Sequence, residues 1–226
     1  MQRKRSTARV FTIMDNYVIT IGREIGSGGK AIGEIIAKSL NIPIYDSRLI
    51  QMAAEESGFN PDLFKNADEK TEKAEKGMVS TIARSITSPF AALGNFYKNS
   101  VSNESLFEVQ SEIIQEKAST ENCIIVGRCA DYILRNHPRL LKVFIRADYE
   151  DRVKFICERY ELTPAKARKL IDKTDNQRSE YHDFYSETNW GDSRAYDICV
   201  NSSLIGLEGT AQFLLDFARK YLKIEG

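Results

Sequence analysis

The chain has 226 residues, 42% of them hydrophobic, and its 32 Lys and Arg balance its 32 Asp and Glu. That length and apolar content suit one α/β domain with insertions, and zero formal charge argues against a nucleic-acid binder, which needs an excess of cations to neutralise phosphates. No run is long and apolar enough for a transmembrane helix, so the expected setting is the cytoplasm, with neither membrane nor nucleic acid as partner.

The four cysteines, Cys123, Cys129, Cys157 and Cys199, form no C-x-x-C pair. They read as reduced, mostly buried thiols. With only His137 and His182 besides, no protein-held metal cluster is expected. The start, Met1–Arg9, is basic without an apolar signal core. Residues 1–16 therefore read as a tail, and 17–226 as a single domain.

Tyr17–Ile21 is short, apolar and β-branched, a buried strand. Gly22–Gly29 is a glycine-rich turn. Ile32, Ile35, Ile36 and Leu40 recur at helical spacing in Ala31–Leu40, with Asn41 ending the helix and Pro43 beyond it. Ile42–Tyr45 reads as a second strand ending at Asp46. Residues 47–103 carry a helical pattern near Leu49–Ser57 and a charge run, Lys65–Lys76, which reads as a solvated helix face; the stretch is treated as an insert on the core. A helix around Leu106–Ile114 follows, then a strand at Cys123–Val126 and a short helix at Ala130–Arg135. Leu140–Ile145 is a strand and Asp148–Arg159 a charged helix. Thr163 and Pro164 open another helix as N-cap and first residue. Tyr196–Val200 is the last strand and Leu207–Leu222 the last helix. This alternation implies a mostly parallel sheet covered on both faces.

The segment Gly22-Arg-Glu-Ile-Gly-Ser-Gly-Gly-Lys-Ala31 lies between the first strand and the first helix. A helix N-terminus there offers free N–H groups and a positive dipole end, and glycines let the backbone wrap a phosphate. The pattern G-x-x-x-x-G-K-[S/T] is met at Gly29 and Lys30, but Glu24 stands at its first glycine and Ala31 at its hydroxyl. Gly26-x-Gly28-x-x-Ala31, with Asp46 twenty residues on, also fits a dinucleotide-binding fingerprint. A binding protein that holds a nucleotide without turning it over is a third reading.

The second half favours phosphoryl transfer. From Arg152 to Arg178 there are eight Lys or Arg and four Asp or Glu, in the place where a kinase would carry cations that close over the transferred group. The aromatic residues Tyr181, Phe184, Tyr185 and Trp190 could stack a base but read first as packing. Tyr132 and Phe144 are assigned to the core.

Ile19–Lys30, Ile44–Ile50, Val126-Gly-Arg128, Asp172–Arg178 and Trp190-Gly-Asp with Tyr196–Ser203, in this order, resemble the cytidylate kinase-like family over about residues 17–222. The resemblance implies a three-layer P-loop kinase fold: a five-stranded parallel sheet, a helical substrate-binding insert (47–103) and a helical lid (152–194). It implies ATP as donor, Mg²⁺ as cofactor and a nucleoside monophosphate, CMP or dCMP, as acceptor; a homodimer is left open. Gly26, Ser27, Gly28, Gly29, Lys30 and Ala31 would hold the donor. Asp46, Arg48, Arg128, Asp131 and Asp175 would contact the acceptor. Lys30, Arg128 and Arg178 would stabilise the transferring charge. Cys129 replaces the acid of the family's Gly-Arg-Asp, with Asp131 two residues on as its substitute. Thr174 replaces a lid arginine, for which Lys173 or Arg168 could stand in.

Overall fold

The structure is a computed structural model, and it describes residues 16–47 and 103–224. The basic tail, the charge run Lys65–Lys76, Arg48 and nearly all of the insert lie outside the described residues.

In chain order the elements are β1 (Val18–Arg23), α1 (Gly29–Leu40), β2 (Ile44–Tyr45), α2 (Asn103–Thr120), β3 (Cys123–Val126), α3 (Ala130–Ile133), β4 (Leu140–Arg146), α4 (Tyr149–Tyr160), α5 (Pro164–Tyr185), a 3-10 turn (Ser193–Ala195), β5 (Ile198–Asn201) and α6 (Gly206–Leu222). The strands form one parallel sheet in the order β2-β3-β1-β4-β5. In a dinucleotide-binding domain the second strand lies beside the first. Here β3 takes that place, and the dinucleotide-fold alternative is set aside.

Side chains alternate across the strands. Ile19, Ile21, Ile124, Val126, Leu141, Val143 and Ile145 face α1 and α6, where they meet Ile32, Ile36, Leu214 and Leu215. Val18, Cys123, Ile125 and Leu140 face the other way, onto Ile113 and Ile114 of α2 and Ile133 of α3. A third cluster, Val153, Ile156, Ala167 and Ile171, joins α4 to α5 and takes in Ile25 of the glycine loop.

Several boundaries move for local reasons. The second strand shortens to Ile44–Tyr45 because Ile42 N–H donates to Ala37 O as part of the helix C-cap, with Asn41 left-handed at φ 52°. The last strand starts two residues late. Asp197 instead exchanges a main-chain and a side-chain bond with Lys142, N–H to Lys142 O at 2.9 Å and Oδ2 from Lys142 N–H at 2.8 Å. Thr163 and Pro164 do open α5, but Thr163 caps by its extended backbone and not through its hydroxyl. Cys123 and Cys129 are buried, Cys157 is half-buried and Cys199 is exposed, so the thiols are less uniformly buried than expected. Tyr132 is half-buried rather than core, its ring under the Arg135 guanidinium at 4.0 Å; Phe144 is buried. Among the described residues no helix is long and apolar enough to cross a membrane.

Candidate active site at the carboxyl end of the sheet

The glycine loop leaves β1 at the carboxyl edge of the sheet, where the strand order changes direction and ligands of open α/β sheets bind. Gly26 and Gly28 are left-handed, at φ 80° and 74°. A side chain at Gly28 would also collide with Leu207 of α6. The first bond of α1 runs from Ile32 N–H to Gly28 O at 2.9 Å. The N–H groups of Gly29, Lys30 and Ala31 therefore stand outside the helix ladder at its positive end. Ser27 is buried; its hydroxyl donates to Glu24 O at 2.9 Å, and its own carbonyl accepts from Ser202 Oγ at 2.8 Å. Its side chain thus shapes the loop from within. Lys30 projects from the first turn, its Nζ 2.7 Å from Asp46 Oδ2.

Arginines gather beside this loop. Arg178 Nη1 donates to Arg23 O at 3.1 Å. The Arg23 guanidinium lies against Gly127, where an added Cβ would overlap it. Gly127, Arg128 and Cys129 are three consecutive left-handed residues, at φ 78°, 59° and 54°. Two of them are not glycine, a strain of the kind that collects at functional sites. Burial holds Arg23 well below the usual guanidinium range, and the charges of Arg178 and then Arg128 push it further. An arginine stays charged at neutral pH, so this lowering records the cost of gathering three cations. Asp46 and Asp175 offset part of it.

A sequence profile described as the cytidylate kinase-like family matches residues 18–204. The chain belongs to that family. A crystal structure of an uncharacterized protein from Eubacterium ventriosum is 27% identical, with a TM-score of 0.66 over 93% of this chain and 100% of that one. A gluconokinase from Sinorhizobium meliloti (14% identical, TM-score 0.53, 92% and 94% covered) and a shikimate kinase from Bacteroides thetaiotaomicron (14%, 0.50, 89% and 97%) share the fold, that of P-loop kinases. No curated protein matches the chain.

The positions at which this cytidylate kinase-like chain departs from the expected motifs have definite surroundings. Cys129 is buried with its Sγ 4.0 Å from Tyr181 O, and burial followed by the charge of Asp131 raises its thiol pKa, keeping it neutral. Asp131 is buried against His182, Oδ2 to Nε2 at 2.9 Å. Thr174 is buried. Arg168 is held in a two-point pair with Glu150, both bonds 2.7 Å, and lies over the Tyr149 ring. Asp175 accepts from Ile25 N–H at 2.9 Å and pairs with Arg152. Of the aromatic residues, Tyr181 and Tyr185 pack with Phe107 of α2, and Trp190 packs edge-on to Phe144. Phe184 is 70% exposed.

Two residues of this site have no role that the sequence motifs assign. Arg23 lies within the glycine-loop segment but is the last residue of β1 and reads as the strand's polar end. Arg152 reads as one charge in a basic helix, yet it is 5% exposed. The feature that could have drawn notice is Glu24, an acid inside a phosphate loop, which calls for a nearby cation.

Proposed function

We propose that this chain is an ATP-dependent phosphotransferase whose acceptor is a nucleoside monophosphate, CMP or dCMP. The observation that carries this reading is the convergence of Arg23, Arg128 and Arg178 beside a glycine loop that ends in Lys30. Three guanidiniums in one place favour an acceptor that is itself an oxyanion. The preference for a cytidylate rests on the family's name.

Gly26 to Ala31 would cradle the donor's phosphates with main-chain N–H groups, and Lys30 would draw charge from the γ-phosphoryl group. Arg128 would hold the acceptor phosphate, with Arg23 and Arg178 flanking the transferred group. The bond from the γ-phosphorus to the bridging oxygen breaks as one forms to an acceptor phosphate oxygen. That oxygen is already anionic, so the chain needs no strong general base. Its contribution is orientation and fixed charge.

Mg²⁺ fits this donor set. Among the described residues no three acidic, His or Cys side chains cluster as a cage. Mg²⁺ is commonly held by one or two carboxylates, water and substrate phosphates. Asp46, at the mouth of the loop and paired with Lys30, is the carboxylate that would hold it by exchanging the ammonium group for the ion, while Glu24 and Asp175 are held by the buried Arg152. When bound, the ion would neutralise charge on the donor's phosphates.

The test is ADP release from Mg·ATP against CMP, dCMP, UMP, AMP, GMP, shikimate and gluconate, with Lys30→Ala beside the wild type. Lysine-dependent turnover with a cytidylate supports the reading, and turnover only with a neutral or carboxylate acceptor overturns it. ATP binding without any turnover would favour a nucleotide-binding regulatory protein, in keeping with Ala31 at the hydroxyl position and Thr174 turned inward.

A further inference from the structure

Ile25 of the loop is held at its N–H, its carbonyl and its side chain. Its N–H donates to Asp175 Oδ1 at 2.9 Å, and its carbonyl accepts from Arg152 Nε at 2.8 Å. Its side chain enters the apolar cluster of α4 and α5. Both polar groups of this residue are thus satisfied by side chains of two different helices, in a place where an unsatisfied main-chain group would be costly. The two side chains are themselves an ion pair, Arg152 Nη2 to Asp175 Oδ2. The remaining arm of the guanidinium, Nη1, lies 3.2 Å from Glu24 Oε2, which also accepts from Ala147 N–H at 3.1 Å.

One guanidinium therefore serves three partners at once: a loop carbonyl, a loop carboxylate and a carboxylate of α5. This uses the rigid fork of arginine, and a lysine could not reproduce it. It also accounts for Glu24 at the pattern's first glycine position. A glycine there would leave Arg152 short of one carboxylate and Ala147 N–H without its acceptor. With two acids and a carbonyl around it, the Arg152 guanidinium is engaged by protein; through Asp175, whose Oδ1 lies 3.9 Å from Arg178 Nη1, it borders the arginine cluster without facing the loop's N–H groups as a free cation.

We propose that Arg152 is a positioning residue for the phosphate loop, clamping Ile25 with Glu24 and Asp175 and so tying the N–H cradle of Gly26–Ala31 to the α4–α5 hairpin. The loop and the root of the hairpin move as one body. The consequence for ATP rests on the proposed function; the clamp itself does not.

The experiment compares wild type, Arg152→Lys, Glu24→Gln and the double variant by amide hydrogen exchange and by calorimetry with Mg·ATP, with melting curves confirming the fold. In folded Arg152→Lys, exchange is expected to rise together over residues 24–31 and 171–178. Mg·ATP affinity is expected to fall about 10- to 100-fold, the scale of a small misplacement of binding groups. The double variant is expected to lose little beyond the worse single one, as for residues of one network. Unchanged loop exchange in folded Arg152→Lys, or additive losses, overturns the clamp. Should Arg152→Lys fail to fold, Glu24→Gln, whose site is more exposed, decides by the same two readouts. Should the wild type bind no Mg·ATP, the proposed function fails, and hydrogen exchange alone decides the clamp.

Discussion

Lys30 Nζ lies 2.7 Å from Asp46 Oδ2, so the first turn of α1 and the end of β2 are joined across the mouth of the glycine loop. The lysine is largely exposed, while the carboxylate is mostly enclosed. Phosphates arriving at the loop compete with Asp46 for the ammonium group, and Mg²⁺ competes with Lys30 for the carboxylate. Lys30→Ala is expected to lower turnover about 10²- to 10³-fold, the usual loss for one preorganised charge at a transferring group. Coupled measurement of ADP release checks this, and near-wild-type turnover would remove Lys30 from the chemistry.

Arg23 gives a prediction of opposite signs for stability and binding. Arg23→Met keeps an unbranched stem over Gly127 and removes one of three neighbouring like charges. The melting temperature is expected to hold or rise. The acceptor KM is expected to rise about 10- to 100-fold, matching the loss of one charge-assisted contact. A fall in stability with the acceptor KM unchanged would mean that Arg23 serves the fold.

Gly127 combines a left-handed backbone at φ 78° with the Arg23 guanidinium against its open face. Gly127→Ala is expected to cost about 1–3 kcal/mol in denaturant unfolding, from a strained φ together with displacement of Arg23. A variant as stable as the wild type would show that Arg23 moves aside freely.

His182 is buried with Nε2 2.9 Å from Asp131 Oδ2, and Nδ1 3.2 Å from Asp183 Oδ1 and 3.1 Å from Ser186 Oγ. Burial pulls its pKa down, but the bonds and charges of Asp131 and Asp183 outweigh burial and leave it raised above 6.5. A raised folded-state pKa contributes stability that is complete below the unfolded value and is lost as pH rises through the folded value. The wild type is therefore expected to lose stability as pH climbs upward from the ordinary histidine range. Asp131→Asn should be less stable at the acid end and flatter with pH. Melting temperatures of both proteins across that range check the sign; a wild type that gains stability over the same window would contradict it.

Much of the fold is legible because its signals are local. The β-branched run at Val18–Ile21, the helical spacing of Ile32, Ile35 and Ile36, and Asn41 at the helix end each act through near neighbours. The observed elements follow them within a few residues. Tyr196 and Asp197 show where local reading stops: a β-favouring run yields its first residues to the Phe144 cluster and to a side-chain bond with Lys142.

The site was legible in part. The glycine loop and Lys30 announce themselves by their position between a strand and a helix, and Arg128 by its place after a buried strand. Arg23, Arg152 and the engagement of Asp175 were not legible. Their roles depend on partners as much as 155 residues away in the chain.

The sequence by itself determined the alternation of strands and helices, the phosphate-binding loop and the kinase-like family, because these rest on periodicity and on residues adjacent in the chain. Only the tertiary structure decided the strand order that separates this sheet from a dinucleotide fold, the gathering of Arg23, Arg128 and Arg178, and the clamp of Arg152 on Ile25. Those depend on which carboxyl ends of strands come side by side, and on where burial forces each charge to find its partner.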